Sequence, residues 1–166
     1  MTVKHTRIRK TFESVSLGAP ERAIGFVLWK MFHLYQREVD RVLSPLDLTH
    51  LQFTTLTLTA WLGQDGDTVT LTSLVRHSDI HKVQLSQMLK SLEQKGMVIR
   101  TTSEADVRAK NIALTEAGLQ SMRQSLPVVV EVQRRLFGET GMPGGSLLKS
   151  FHSVLRQMED ESVSEA

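Results

Sequence analysis

Between Ile80 and Gly96 the apolar positions fall at helical spacing. Leu85, Met88, Leu89 and Leu92 lie on one face of a 3.6-residue period. The opposite face carries Val83, Gln87, Lys90 and Gln94, flanked by Lys82, Gln84, Ser86 and Ser91, with no carboxylate at its centre. Amide, hydroxyl and ammonium groups are those that reach base edges and phosphates. Taken alone, the pattern is met more often in an ordinary amphipathic helix with a solvated face. Gly96 marks its end, as glycine just past a last turn usually does.

The same periodicity predicts the other elements. Residues 1–18 set Lys4, Arg7, Arg9 and Lys10 against Glu13 and read as a flexible basic arm. Pro20-Glu21 opens a helix that runs to about Leu43. Its stripe of Ile24, Val27, Leu28, Met31, Leu34, Tyr35, Val39 and Val42 is accompanied by Phe26, Trp29 and Phe32 outside it. A helix apolar on more than one side needs more than one partner: a second chain, or deep burial in a monomer. Thr49 with Gln52 forms a capping box for the next helix, although Thr54, Thr55, Thr57 and Thr59 are β-prone. After the loop 63–67 and a very short strand at Thr68-Val69, Thr70 caps a short helix to about His77. Ser78-Asp79 then turns into the stretch described first, which gives a helix-turn-helix layout.

Met97–Thr101 and Asn111–Leu114 are β-capable runs around a charged loop and read as a hairpin wing with Arg108 and Lys110 at its tip. Thr115-Glu116 starts the last long helix, with Gly118 as a weak spot and Pro127 predicting a kink or break. A glycine-rich loop over 138–145 precedes a final helix from Leu147 to about Met158 and a frayed acidic tail. The fold class is mainly α: an α+β winged helix in which helical regions (20–43 and 119–160) flank a winged helix-turn-helix (45–117).

Composition narrows the classes. The chain has 166 residues, 40% of them hydrophobic, enough for one cored domain. It has no cysteine, which excludes disulfides and thiolate metal sites. No apolar run suits a bilayer span and the N-terminus has no secretory pattern, so no membrane partner is expected and the cytoplasm is the expected location. Net charge is only +2, so nucleic-acid binding must be argued from where the charges lie. His77-Ser-Asp-Ile-His81 puts two imidazoles and a carboxylate close together, but a metal site needs three or four ligands in good geometry, so no metal is expected. Nucleophile elbows, phosphate loops and dinucleotide fingerprints are absent, and Gly141-Met-Pro-Gly-Gly145 follows a helix rather than a strand. Neither an enzyme nor a cofactor is expected.

Four segments together resemble the MarR family of winged-helix transcriptional regulators: Leu46-Asp-Leu-Thr-His-Leu-Gln-Phe, Leu89-Lys-Ser-Leu-Glu-Gln-Lys-Gly-Met-Val, Asp106-Val-Arg108 and Leu114-Thr-Glu-Ala-Gly118. Order and spacing agree over about residues 21–137. The resemblance implies a homodimer with interlocked terminal helices, presenting two winged helices to a pseudo-palindromic double-stranded DNA site, usually as a repressor. It implies that Arg108 approaches the minor groove and that Asp106 shapes the wing by pairing with Arg100 or Arg108. It also implies a small aromatic or phenolic ligand, for which Trp29, His33, Tyr35, His50 and Trp61 are the candidate lining; the same five residues fit core and interface positions at least as well. Ser78-Asp79, His81 and the threonines at 101 and 102 depart from the family's usual residues, so base preference does not carry over.

The expected division of labour follows from side-chain chemistry. Lys82, Lys90, Arg100 and Lys110, with Lys95, suit phosphates. Gln84, Ser86 and Gln87 suit base edges, and Val83 a thymine methyl. The alternative is a winged helix used for protein–protein contact without DNA; the polar face and the cationic wing tip speak against it.

Overall fold

The computed structural model describes residues 2–102 and 110–164. In chain order these form α1 (His5–Val15), α2 (Ile24–Leu43), α3 (His50–Gly63), β1 (Val69–Thr70), α4 (Leu71–Ser78), α5 (Lys82–Gln94), β2 (Val98–Thr102), β3 (Lys110–Leu114), α6 (Glu116–Phe137) and α7 (Ser146–Ser164), with single 3-10 turns at Pro20–Arg22, Ser44–Leu46 and Glu139–Gly141. The chain divides into two units, Met1–Glu38 and Val39–Ala166.

In the first unit the expected arm contains a helix. Ile8, Phe12 and Val15 recur at i, i+4 and i+7, a stripe that the basic charges obscure in the sequence. Thr11 closes a turn by donating to the Arg7 carbonyl at 3.0 Å. No residue of α1 is buried. Helix α2 begins at Ile24 rather than Pro20, because Ala23 is extended (φ −92°, ψ 112°) and separates the proline turn from the helix. Ile24, Leu28, Trp29 and Phe32 remain exposed.

The second unit is built on α3, which packs against α5, β3 and α6. Thr49 and Gln52 form the expected capping box. The β-prone threonines are accommodated because each hydroxyl donates to the carbonyl one turn back: Thr54 to His50, Thr55 to Leu51, Thr57 to Phe53 and Thr59 to Thr55, at 2.8–2.9 Å. That satisfaction allows Thr55 and Thr59 to be buried beside Phe53 and Leu56. The strands form one antiparallel sheet in the order β1-β3-β2, with Val69 opposite Ile112 and Arg100 opposite Ile112 on the other side.

Two expectations about α6 meet the structure. Of the kink or break expected at Pro127, the break does not occur: the helix is continuous there. The proline side is exposed, while Ser121, Ser125, Val129 and Val132 bury the other face, so packing outweighs the lost hydrogen bond. Gly118 is a requirement rather than a weak spot. A Cβ there would stand 2.0 Å from the Met97 carbonyl oxygen and 2.9 Å from the Leu114 side chain. Thr115 caps α6 by accepting from Gly118 N–H at 3.0 Å, donates its hydroxyl to the Gly96 carbonyl at 2.6 Å, and its own N–H bonds the Met97 carbonyl at 3.1 Å. The Thr-Glu-Ala-Gly run therefore seats the start of α6 on the turn that ends α5.

Gly118→Ala should destabilise the fold by about 1–3 kcal/mol, since the added methyl meets backbone rather than a movable side chain. Thermal unfolding of the variant checks this; a melting temperature equal to or above the parent's would refute the close approach.

Candidate nucleic-acid interface

Helix α5 is held at both ends and on both flanks. At its front, Asp79 takes a left-handed conformation (φ 51°) and its N–H bonds the Val75 carbonyl at 3.1 Å, ending α4. Ser78 donates to the Leu74 carbonyl at 2.7 Å and accepts from Ile80 N–H at 3.2 Å, which locks the tight turn. His81 is the N-cap: its Nδ1 accepts from Val83 N–H at 3.3 Å. His77 turns back to its own helix, with Nδ1 2.8 Å from the Ser73 carbonyl oxygen.

At the rear, Gly96 (φ 69°) allows the N–H groups of Gly96 and Met97 to bond the carbonyls of Glu93 and Leu92, both at 2.9 Å. This double closure is the Schellman arrangement. On one flank, Gln52 Nε2 donates to Ser91 Oγ at 2.8 Å, and Lys95 Nζ pairs with Asp47 Oδ2 at 3.0 Å and also bonds the Asp47 carbonyl oxygen. On the other flank, Arg100 of β2 grips Glu93, with Nε 3.0 Å from Oε2.

This mounting turns Leu85, Leu89 and Leu92 inward and leaves Lys82, Val83, Gln84, Ser86, Gln87, Lys90 and Gln94 exposed. Val83, at 56% exposure, is an apolar side chain presented to solvent on an otherwise polar face. Glu93 is the only carboxylate on α5, and it faces Arg100 rather than this surface. Between α5, the start of α4 and the hairpin lies a cleft of about 320 Å³. Lys82, Ser86, Arg100, Lys110, Thr70 and Thr72 line it, above Leu89 and Ile112. Three cations and three hydroxyls thus converge beside the exposed face of α5.

Two of the expected cations carry ion pairs. Arg100, expected at phosphates or on Asp106, pairs with Glu93 and also lines the cleft. Lys95 is engaged by Asp47. Both are pulled in by carboxylates that the fold brings within reach. Asp106 and Arg108 lie outside the described residues. Trp29, His33 and Tyr35 stand on α2, where Trp29 meets His33 edge-on at 4.5 Å and stacks with Phe26 at 6.1 Å. His50 is half-buried at the start of α3, and Trp61 is exposed near its end. Sequence reasoning missed Thr70 and Thr72 as members of the face. Only the pairing of β1 with β3 shows that the α4 N-terminus adjoins the hairpin.

Electrostatics follow these contacts. The hydrogen bond from Arg100 holds the Glu93 carboxyl below the ordinary carboxylate range, and Glu93 in turn raises the Arg100 guanidinium. Burial pushes His50 below its ordinary value of 6.5, against the opposing pull of Asp40. Asp40 also accepts from the His50 backbone N–H at 2.6 Å, tying the end of α2 to the start of α3.

A family model described as "ArnR1-like, winged-helix domain" matches residues 44–133. The chain is 33% identical over 139 residues to YdcH of Bacillus subtilis (strain 168), an uncharacterised HTH-type transcriptional regulator, covering 84% of this chain and 94% of that one. Sco3205 of Streptomyces coelicolor, a MarR family regulator solved in complex with DNA, superposes with a TM-score of 0.73 at 22% identity, over 87% of this chain and 92% of that one. CouR of Rhodococcus jostii RHA1, solved bound to p-coumaroyl-CoA, superposes with a TM-score of 0.64 at 25% identity, over 88% and 93% of the two chains.

The His50 shift has a definite sign. In the unfolded chain His50 takes up its proton near pH 6.5, whereas the folded chain resists protonation until lower pH. The stability it contributes is complete above that value and is lost as pH falls below it. Melting temperature should therefore decline on acidification from pH 7 to 5, and His50→Gln, which keeps the backbone donor to Asp40, should show a shallower decline. Parallel curves for parent and variant would rule out His50 as the source.

Proposed function

The chain belongs to the MarR family of winged-helix transcriptional regulators, and from that premise we propose that it is a repressor that binds a pseudo-palindromic operator as a homodimer and is released by a small ligand. The observation that carries the DNA reading is the exposed face of α5. Lys82, Val83, Gln84, Ser86, Gln87 and Lys90 stand outward together, while the helix's only carboxylate is turned to Arg100. Gln84, Ser86 and Gln87 have the donors and acceptors for base edges, with Gln suited to adenine, and Val83 suits a thymine methyl. Lys82, Lys90 and Lys110 serve phosphates, and Arg108 the minor groove beside them. The proposed place of action is the cytoplasm, where the DNA is reached.

Exposed apolar side chains support the homodimer. On α7, Phe151, Val154, Leu155 and Met158 recur at i, i+3, i+4 and i+7, and all are exposed. On α2, Ile24, Leu28, Trp29 and Phe32 are exposed as well. An exposed apolar stripe along a helix marks an interface, and a second copy supplies the matching surface. CouR, solved with p-coumaroyl-CoA, supports release by an aromatic ligand. The rings of Trp29, His33 and Tyr35 on α2 combine apolar faces with hydrogen-bonding atoms of the kind such a ligand uses.

Selection from a random pool of duplexes with the purified protein tests the reading. A two-fold-related sequence should emerge, and Gln87→Ala should lose about 1–3 kcal/mol at one base position per half-site. Equal weakening on every sequence would remove Gln87 from base reading. Failure to select any duplex at low salt would leave the protein-binding winged helix in its place. Leu155→Glu should sediment as a monomer where the parent is a dimer, with loss of affinity for the selected duplex; an unchanged dimer would exclude α7 from the interface.

A further inference from the structure

We propose that Gln52 is the positioning residue of the recognition helix: from the start of α3 it holds the last turn of α5 through Ser91 and Lys95, and so sets the angle at which the outer face meets DNA. The inference rests on reading α5 as the DNA-facing helix. It concerns a residue that touches no base.

Gln52 is buried, at 7% exposure, and each end of its amide is used. Oε1 accepts from Thr49 N–H at 3.0 Å, completing the capping box, and lies 3.4 Å from Lys95 Nζ. Nε2 donates to Ser91 Oγ at 2.8 Å. A capping box needs only an acceptor at this position, and a carboxylate would serve it with the added attraction of the helix dipole. What glutamine has and glutamate lacks is the N–H donor, and here that donor crosses to α5. The residue type is explained by the cross-link, not by the cap.

The geometry explains why such a link matters. Leu85, Leu89 and Leu92 decide which face of α5 is buried, but apolar contact is non-directional and leaves tilt weakly determined. A hydrogen bond from a buried amide to a half-buried hydroxyl is directional, and leaving the buried donor unpaired is costly. Ser91 and Lys95 are one turn apart and share the flank that Gln52 holds. Glu93, between them, faces away to Arg100. The last turn is thus held from α3 on one side and from β2 on the other. At a rise of 1.5 Å per residue, Gln87 and Gln84 stand roughly 6–11 Å along the axis from Ser91. A tilt of about 10° moves them by about 1–2 Å, more than a base-edge hydrogen bond tolerates.

Ser91→Ala removes the cross-link and keeps the capping box intact. On the duplex selected by the parent protein, its affinity should fall about tenfold, the effect of leaving one buried donor unpaired. Affinity for an unrelated duplex and the salt slope should stay as in the parent, because no phosphate contact is lost. Gln52→Met should lose at least as much, and the double variant Gln52→Met, Ser91→Ala should be no weaker than Gln52→Met alone. Parent-like affinity of Ser91→Ala, equal loss on both duplexes, or additive losses in the double variant would overturn the proposal. Hydrogen exchange on the free protein gives a second readout. Amides of residues 91–97 should exchange faster in Ser91→Ala while the rest of the chain keeps its rates. A uniform change would reduce the bond to general stability and overturn its positioning role. If the parent selects no duplex, the DNA reading fails on its own, and the exchange measurement still decides whether this bond holds the last turn of α5.

Discussion

The second unit depends on the burial of one narrow apolar stripe. Helix α5 has a single row of leucines, Leu85, Leu89 and Leu92, and all are enclosed while its other faces are not. Burying a leucine side chain stabilises by roughly 1.5–3 kcal/mol, whereas a helix cap contributes about 1 kcal/mol. The stripe therefore decides which side of α5 faces α3, and the caps decide only where the helix begins and ends. Once the leucines are inside, the amides and ammonium groups opposite them have no place but the surface. The polar outer face of α5 is a consequence of core packing as much as of its own residues.

A second constraint acts at the rear of α5. Within a few residues the chain must end the helix, start β2 and receive the start of α6. Gly96 permits the reversal, the Met97 carbonyl accepts from Thr115, and Gly118 lets α6 come close enough for that bond. Because three elements meet there, the hairpin and α5 are not independent. Glu93 and Arg100 join them once more, and their mutual pKa shifts express that attachment. Charges that would look available for phosphates in a list of basic residues are in part committed to this framework.

The candidate site was legible where local chemistry and periodicity agreed. The inward leucines and the outward Lys82, Gln84, Gln87 and Lys90 follow from spacing alone, and the caps at Thr49, Thr70 and Thr115 follow from side chains that bond their own backbone. Arg100 and Lys95 were legible only as cations, because the carboxylates they meet are brought to them by folding. Thr72 carried no signal at all; it joins the face because β1 pairs with β3. The helix over His5–Val15 was hidden by its own charges, and α6 continues through Pro127 because Val129 and Val132 hold its packed face, which a local rule does not weigh.

By itself, then, the sequence determined the kinds of element, their order, their caps and the side of each helix that seeks burial. These are properties of nearest neighbours and of a 3.6-residue repeat, and they need no knowledge of what lies across the core. The tertiary structure alone decided which cations pair with Glu93 and Asp47, why Gly118 must be glycine, and which buried amide bonds across from α3 to α5. Those are matters of distance between residues far apart in the chain: Gln52 and Ser91 are separated by 39 positions and by 2.8 Å. Composition and spacing carry no record of such proximity; only the closed packing of α3, α5 and the sheet creates it.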